Sequence, residues 1–433
     1  MNSNKSIKTI LLLWFGSLAG AGFAFLVQVM LARHLGPSGF GVFSTAFSLS
    51  AIFIPLAGFG ISQYWLKEFG KDGDLAIGQV LPSLRLVLIN TTLIISLIAI
   101  WGLFGHHEDL LKYTILIMSF YVAGQVSLEL MTSKLQLEEK YTKMALLQIA
   151  PHFFRFCIIL TIILLANSYL TVINIALVYV LVSTFLVVFG ILIMLKFAEG
   201  LVDLKGHKSF SDIESSSEPV QIEHIIHGSW PFALAGVFHL IYFQSDIILL
   251  NYMVGSEAAG IYNTAFMVIV LVLLFPSVVY QKFFLPKIHR WANHDHDLFY
   301  KFVKQGNVVM LVLGLLAMVT VWMLAPYIVP ILFGEGYDDS VELLYILSTT
   351  LPILFLASNI GSVLLVKDNM RLKVKLMGLT AVVNIILNLI LIPLYGMVGA
   401  AIATVVSNIF LLTLYWYFGR RIMKICMNLT PNS

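Results

Sequence analysis

Charge is scarce in this chain and cysteine scarcer still. Only 11% of the residues are Asp, Glu, Lys or Arg, and only two, Cys157 and Cys426, are cysteines. So little charge excludes a solvated, disordered chain or a basic nucleic-acid binder. Two cysteines, one inside an apolar run and one near the C-terminus, exclude a disulfide framework and a thiolate metal centre. The sequence holds no phosphate-cradling GxxxxGK[ST] loop, no nucleophile elbow and no HExxH. Neither an ATP-driven pump nor an enzyme therefore has the residues its chemistry would need. A further absence matters below: the first long apolar run, 10–31, has no carboxylate.

What the chain has instead is apolar length. Hydrophobic residues make up 59% and the mean hydropathy is +0.92, far outside the soluble range. A helix crossing a bilayer needs about 20 apolar residues. On that criterion the predicted spans are about 10–31, 41–65, 81–104, 111–133, 144–166, 170–195, 229–252, 260–284, 307–332, 341–365, 374–394 and 397–419. The first run is too long for the core of a signal peptide and lacks a small-x-small cleavage site, so it reads as a retained span.

An even number of spans puts both termini on one side, and Lys and Arg decide which. With the N-terminus cytoplasmic, 22 of the 26 Lys and Arg fall inside, Arg33 and Lys112 fall outside, and Arg85 and Arg155 lie within spans. One miscounted helix would scramble that asymmetry. The expectation is an all-α polytopic membrane protein with twelve transmembrane helices in two six-helix lobes, 1–196 and 229–419. A Ser-rich cytoplasmic linker at 197–228 (including SFSDIESSSEPVQIEH) joins them, and a tail follows at 420–433.

The two halves echo one another. GPSGFGVFSTAF (36–47) follows the first span and GSEAAGIYNTAF (255–266) follows the seventh, a shared frame G-x4-G-[VI]-[FY]-x-T-A-F at an offset of 219 residues. With six spans per half, the repeats would be related by a pseudo-two-fold axis along the membrane normal, one of the arrangements common among transporters.

Polar residues inside the apolar runs are the functional candidates, because each is costly there. Arg155 lies near the middle of its span, with His152 and Gln148 at i, i+4, i+7 spacing on the same face. A cation at that depth either lines a cavity and meets an anion or pairs with a carboxylate. Arg85, about five residues into its span, can snorkel to the cytoplasmic interface. Two carboxylates complete the set. Asp246 shares a face with Tyr242 and His239, and Glu129 shares one with Gln125 and Tyr121 near the cytoplasmic end of its span. Asp246, Glu129 and His239 are the candidates for ion coupling. His294, Asp295, His296 and Asp297 look like metal ligands, but a cytoplasmic connector rich in charge reads better as a solvated loop. His106 and His107 are a lone pair in an outer loop.

Four stretches carry a resemblance: LARHLGPSGFGVFSTAFSLSAIFIPLAGFGIS (31–62), DIILLNYMVGSEAAGIYNTAF (246–266), APYIVPILFGEGY (325–337) and NIILNLILIPLYGMVGAAIATVVS (384–407). In their order and spacing they resemble the bacterial polysaccharide-biosynthesis flippases. These are the O-antigen (Wzx-type) transporters of the multidrug/oligosaccharidyl-lipid/polysaccharide flippase superfamily. The resemblance implies two lobes around a central cavity with alternating access. It implies an oligosaccharide on undecaprenyl diphosphate as substrate, coupling to protons or sodium with no other cofactor, and a place in the cell inner membrane. A polysaccharide polymerase and a chain-length regulator are the implied protein partners. Arg155, Arg85, His152 and Gln148 would then meet the lipid diphosphate or its glycan. The alternatives are a multidrug cation antiporter or a lipid II flippase of the same superfamily. The first is disfavoured by the missing acid in the first span, the second by twelve spans rather than fourteen. A polymerase or scaffold would want larger outer loops.

Overall fold

The computed structural model describes residues 3–70, 76–204, 222–278, 288, 291, 296–364 and 370–428. Among them the chain is helical throughout, without strands. The helices are α1 (Ser3–Ala57), α2 (Ile61–Phe69), α3 (Val80–Phe104), α4 (Asp109–Met118), α5 (Tyr121–Leu137), α6 (Tyr141–Leu165), α7 (Val172–Ala198), α8 (Ile222–Met253), α9 (Ser256–Val278), α10 (His296–Phe333), α11 (Asp339–Ser348), α12 (Thr350–Val363) and α13 (Met370–Asn428). Helices are what such a sequence must form, since a backbone in lipid has to satisfy its own hydrogen bonds.

Ten stretches among the described residues are long and apolar enough to cross a membrane. Two of them, Gly16–Phe69 and Arg371–Met423, run to 54 and 53 residues. A helix of that length would measure about 80 Å against a hydrocarbon core of about 30 Å. Each is broken at a glycine in a backbone conformation that other residues avoid, Gly36 (φ 66°, ψ 173°) in α1 and Gly396 (φ 57°, ψ −132°) in α13. At the second break the chain turns back sharply. A Cβ on Gly399 would overlap the carbonyl oxygen of Leu391, whereas a continuous helix would put those residues about 12 Å apart.

The chain divides into two compact units. One comprises Met1–Val27 with Ala46–Leu240, the other Gln28–Thr45 with Ile241–Ser433. The boundaries fall inside helices, so the tip of the first hairpin, 28–45, belongs with the second unit. In the first unit α5 and α7 lie side by side, and the Ser127 hydroxyl donates to the Leu186 carbonyl at 2.8 Å. The first part of α1 packs on α6 through Phe23, whose ring lies 5.3 Å from Phe153 and 5.4 Å from Phe156. At the end of α5 the buried Glu138 bonds Lys134 at 2.6 Å and Lys140 at 3.1 Å. Burial alone would lift the Glu138 carboxyl, but these two lysines outweigh it and hold it below its ordinary value.

The second unit is stitched by polar side chains. Asn359 of α12 donates to the Val303 carbonyl at 2.8 Å and to Asn307 at 2.7 Å on α10. The hairpin tip is braced by Arg33, which donates to the Ile331 carbonyl at 3.1 Å. Tyr337 also holds it, donating to the Ala32 carbonyl at 2.7 Å. The side chains of the His294 to Asp297 group, and residues 205–221 of the predicted linker, lie outside the described residues.

Candidate functional site

Arg155 in the first unit and Asp246 in the second are each buried within an apolar helix, and the two are accommodated in opposite ways. In the first unit Arg155, on α6 one turn after Pro151, is 2% exposed. Its guanidinium carbon stands 5.2 Å from the ring centre of Tyr121 on α5 and 4.3 Å from that of Tyr179 on α7. Phe47 closes the cluster, 5.4 Å from Tyr121 and 6.0 Å from Tyr179. Cation–π contacts strengthen when desolvated, to about 2 kcal/mol or more. The rings do not use up the guanidinium, because its Nε and Nη2 have no hydrogen-bond partner among the described residues.

Among the described residues Arg155 has no carboxylate partner; aromatic faces hold it. His152 and Gln148 share its helix but are only half-buried. They lie against α1, where a Cβ on Gly20 would come 3.6 Å from the Gln148 carbonyl and 3.9 Å from the His152 ring. The predicted stripe is therefore on one helix without forming one cluster. Arg85 is exposed on α3, without a hydrogen-bond or ion-pair partner among the described residues, as a snorkelling side chain would be. Glu129 is exposed on α5, its Oε2 3.6 Å from where a Cβ on Gly58 would sit. It too has no hydrogen-bond or ion-pair partner among the described residues. His239 is exposed on α8.

In the second unit Asp246 of α8, 2% exposed, is surrounded by donors. Tyr262 of α9 donates to Oδ2 at 2.7 Å, Thr404 of α13 donates to the same oxygen, and Asn388 of α13 donates to Oδ1 at 2.6 Å. Asn384 accepts from Ser245 at 3.0 Å and from Asn388 at 3.2 Å. Three donors to one carboxylate offset much of the cost of burying it. Yet the Oδ1 atoms of Asn388 and Asn408, the hydroxyl of Tyr242 and the Nδ2 of Asn384 have no partners among the described residues. A small cavity bounded by Tyr242, Phe266, Thr404 and Asn408 adjoins them. The cluster thus joins a carboxylate to neutral oxygens and one free amide donor.

Tyr179, Tyr262, Asn388 and Thr404 were not singled out from the sequence as site residues. A signal was there for two of them. Asn384 with Asn388, and Thr404 with Asn408, are i, i+4 polar pairs in otherwise apolar sequence, and such pairs share a face. At the 219-residue offset of the repeat, Val27 stands where Asp246 does and Phe43 where Tyr262 does, so the carboxylate cluster exists in one half only.

Among the described residues the chain is helical, with ten stretches long and apolar enough to cross a membrane. Comparison with solved structures agrees on the fold. An inward-facing MATE-family multidrug transporter of the MOP superfamily superposes with a TM-score of 0.72 at 14% identity, over 95% of this chain and 96% of that one. The lipid II flippase MurJ, in an inward closed conformation, gives 0.66 at 16% identity over 96% and 90%. Among sequence relatives, the probable low-salt glycan biosynthesis flippase Agl15 of Haloferax volcanii is 24% identical over 90% of this chain and 78% of its own. The polysaccharide biosynthesis protein family model matches residues 6–291. The chain belongs to that family, a family of membrane transporters rather than enzymes.

Proposed function

We propose that the chain is a flippase that moves an undecaprenyl-diphosphate-linked oligosaccharide repeat unit from the cytoplasmic to the outer leaflet of the inner membrane. It does so through twelve crossings, with both termini cytoplasmic as the Lys and Arg asymmetry favours. The observation that carries the reading is the state of Arg155. A guanidinium paired with a carboxylate has its charge cancelled, whereas one stacked on tyrosine remains a net cation. Its two unused donors suit the bidentate geometry of a diphosphate. Arg85, exposed in the cytoplasmic part of α3, would meet the headgroup first.

The Asp246 cluster is the proposed coupling site, taking a proton or a sodium ion. The cargo is anionic, so the cation antiporter reading fits Arg155 poorly. The relative named as a glycan biosynthesis flippase supports a lipid-linked glycan over lipid II. A polysaccharide polymerase and a chain-length regulator would act on the exported units.

Deleting the gene tests this reading. Lipid-linked oligosaccharide should accumulate in the cytoplasmic leaflet with loss of surface glycan, and the intact chain should reverse both. Normal surface glycan without accumulation would overturn it.

A further inference from the structure

Helix α10 presents two unlike faces. On one, Gly306 and Gly314 let it press against α12. A Cβ on Gly306 would come 2.8 Å from the Asn359 side chain, and one on Gly314 2.5 Å from the Pro352 backbone. Small residues at such a seam are what close packing of helices in a membrane requires. The opposite face is exposed, Val308 to 63%, Val309 to 52% and Leu316 to 59%.

The foot of that exposed face is polar. Lys301 and Lys304 are both exposed there, at i, i+3 spacing, where like charges on a helix repel. Neither has a hydrogen-bond or ion-pair partner among the described residues. A hollow of about 680 Å³ opens along the same stretch, lined by Tyr300, Lys301, Lys304, Gln305, Val308 and Val309. That volume is in the range of a small-molecule site. Over about 13 Å of helix its lining passes from ammonium groups to hydrocarbon.

The other half of the chain supplies a contrast. At the 219-residue offset of the repeat, Arg85 stands where Lys304 does, but Pro82 and Leu86 stand where Lys301 and Gln305 do. A lone cation at this register can simply snorkel. The second cation and its polar flank belong to α10 alone.

We propose that this hollow binds an acidic phospholipid of the cytoplasmic leaflet. The phosphate sits between Lys301 and Lys304, a headgroup hydroxyl meets Gln305, and an acyl chain follows Val308, Val312 and Leu316. Charge and depth select this occupant: two cations without a carboxylate partner call for an anion, and the valines call for one that carries hydrocarbon. A bound phosphate would also relieve the repulsion between the lysines. The leaflet rests on the topology proposed above, which puts the start of α10 on the cytoplasmic side, where acidic lipids make the surface negative. The site does not depend on the cargo.

The test uses the purified full chain in zwitterionic detergent. Phosphatidylglycerol should stay bound and raise the melting temperature, and phosphatidylcholine should do neither. Replacing either lysine by Gln should weaken phosphatidylglycerol about fivefold, and Lys301→Gln with Lys304→Gln about 25-fold. Both side chains are exposed, so the melting temperature without lipid should not change. Val308→Trp, which fills the apolar end, should remove the stabilisation by lipid. Equal weakening by Arg371→Gln with Lys375→Gln, at the start of α13, would show a diffuse basic surface and overturn the proposal. So would equal binding of phosphatidylcholine, or displacement of the lipid by inorganic phosphate, which would make this a site for free anions. In intact cells Leu298→Cys, with Cys157 and Cys426 replaced by Ser, should resist a membrane-impermeant maleimide. Labelling from outside would overturn the leaflet together with the topology, whereas a different cargo would leave the site standing.

Discussion

The guanidinium of Arg155 lies 4.3 Å over the ring of Tyr179 while two of its nitrogens go without hydrogen bonds among the described residues. A cation so placed is stabilised without being neutralised. The protein thus keeps a positive charge buried in a long apolar helix, the charge that the proposed function assigns to an anionic headgroup.

Replacing Arg155 by Ala should abolish surface glycan export while the protein still inserts and accumulates. Arg155→Lys keeps the charge but loses planar stacking and the forked donors, and export should fall more than tenfold. Complementation of a flippase-null strain at matched expression measures both. Normal export by the alanine variant would remove Arg155 from the substrate path.

Tyr179→Leu tests the cage rather than the charge. It preserves an apolar surface but withdraws one ring face, which should cost about 2 kcal/mol of stability. Thermal unfolding of the detergent-purified protein should show the loss, and Arg155→Leu combined with Tyr179→Leu should be less than additive. Additive losses would mean that the two residues do not interact.

Asp246→Asn keeps size and most hydrogen-bonding capacity but removes the charge. Transport by this variant should lose its dependence on pH or on sodium, whichever the wild type shows, measured as export or lipid-linked glycan uptake across both gradients. Tyr262→Phe, which withdraws only one donor from the carboxylate, should cost about 1.5 to 3 kcal/mol in stability. A transport profile unchanged by Asp246→Asn would take the site off the coupling path.

Glu138 should shape the acid limb of stability. Its carboxyl is depressed in the folded protein by Lys134 and Lys140, against the opposing effect of burial. The stabilisation is therefore present above the carboxyl's unfolded value and drains away as pH falls through the lower folded one. Glu138→Gln should flatten that fall in a series of melting temperatures from neutral to acid pH. An equally steep fall would assign the acid sensitivity to other groups.

Much of this was legible in the sequence for a simple reason: lipid tolerates few exceptions. Apolar length located the helices, and each charge inside a run marked a residue that had to be accommodated. Arg155 and Asp246 stood out on that ground alone. What accommodates them did not stand out. Tyr179 is an ordinary aromatic within α7, and Thr404 reaches Asp246 across 158 residues of chain. Helical spacing relates neighbours on one helix and is silent about which helices meet. Gln148 and His152 show the limit from the other side, sharing a face with Arg155 while packing on a different partner. The repeat was readable at 36–47 and 255–266, but not that the copies would touch: a Cβ on Gly41 would overlap the Ser256 carbonyl, and one on Gly260 that of Pro37.

That contact bears on how the protein is made. The hairpin tip at 28–45 emerges from the ribosome early, yet the surface that covers Gly41 begins at Ser256. At about 5 to 20 residues per second, the tip waits on the order of 10 to 40 s for its counterpart. During that interval a glycine-lined backbone face stands uncovered. Assembly of the first half is thus tied to synthesis of the second, and the two halves are poor candidates for separate expression.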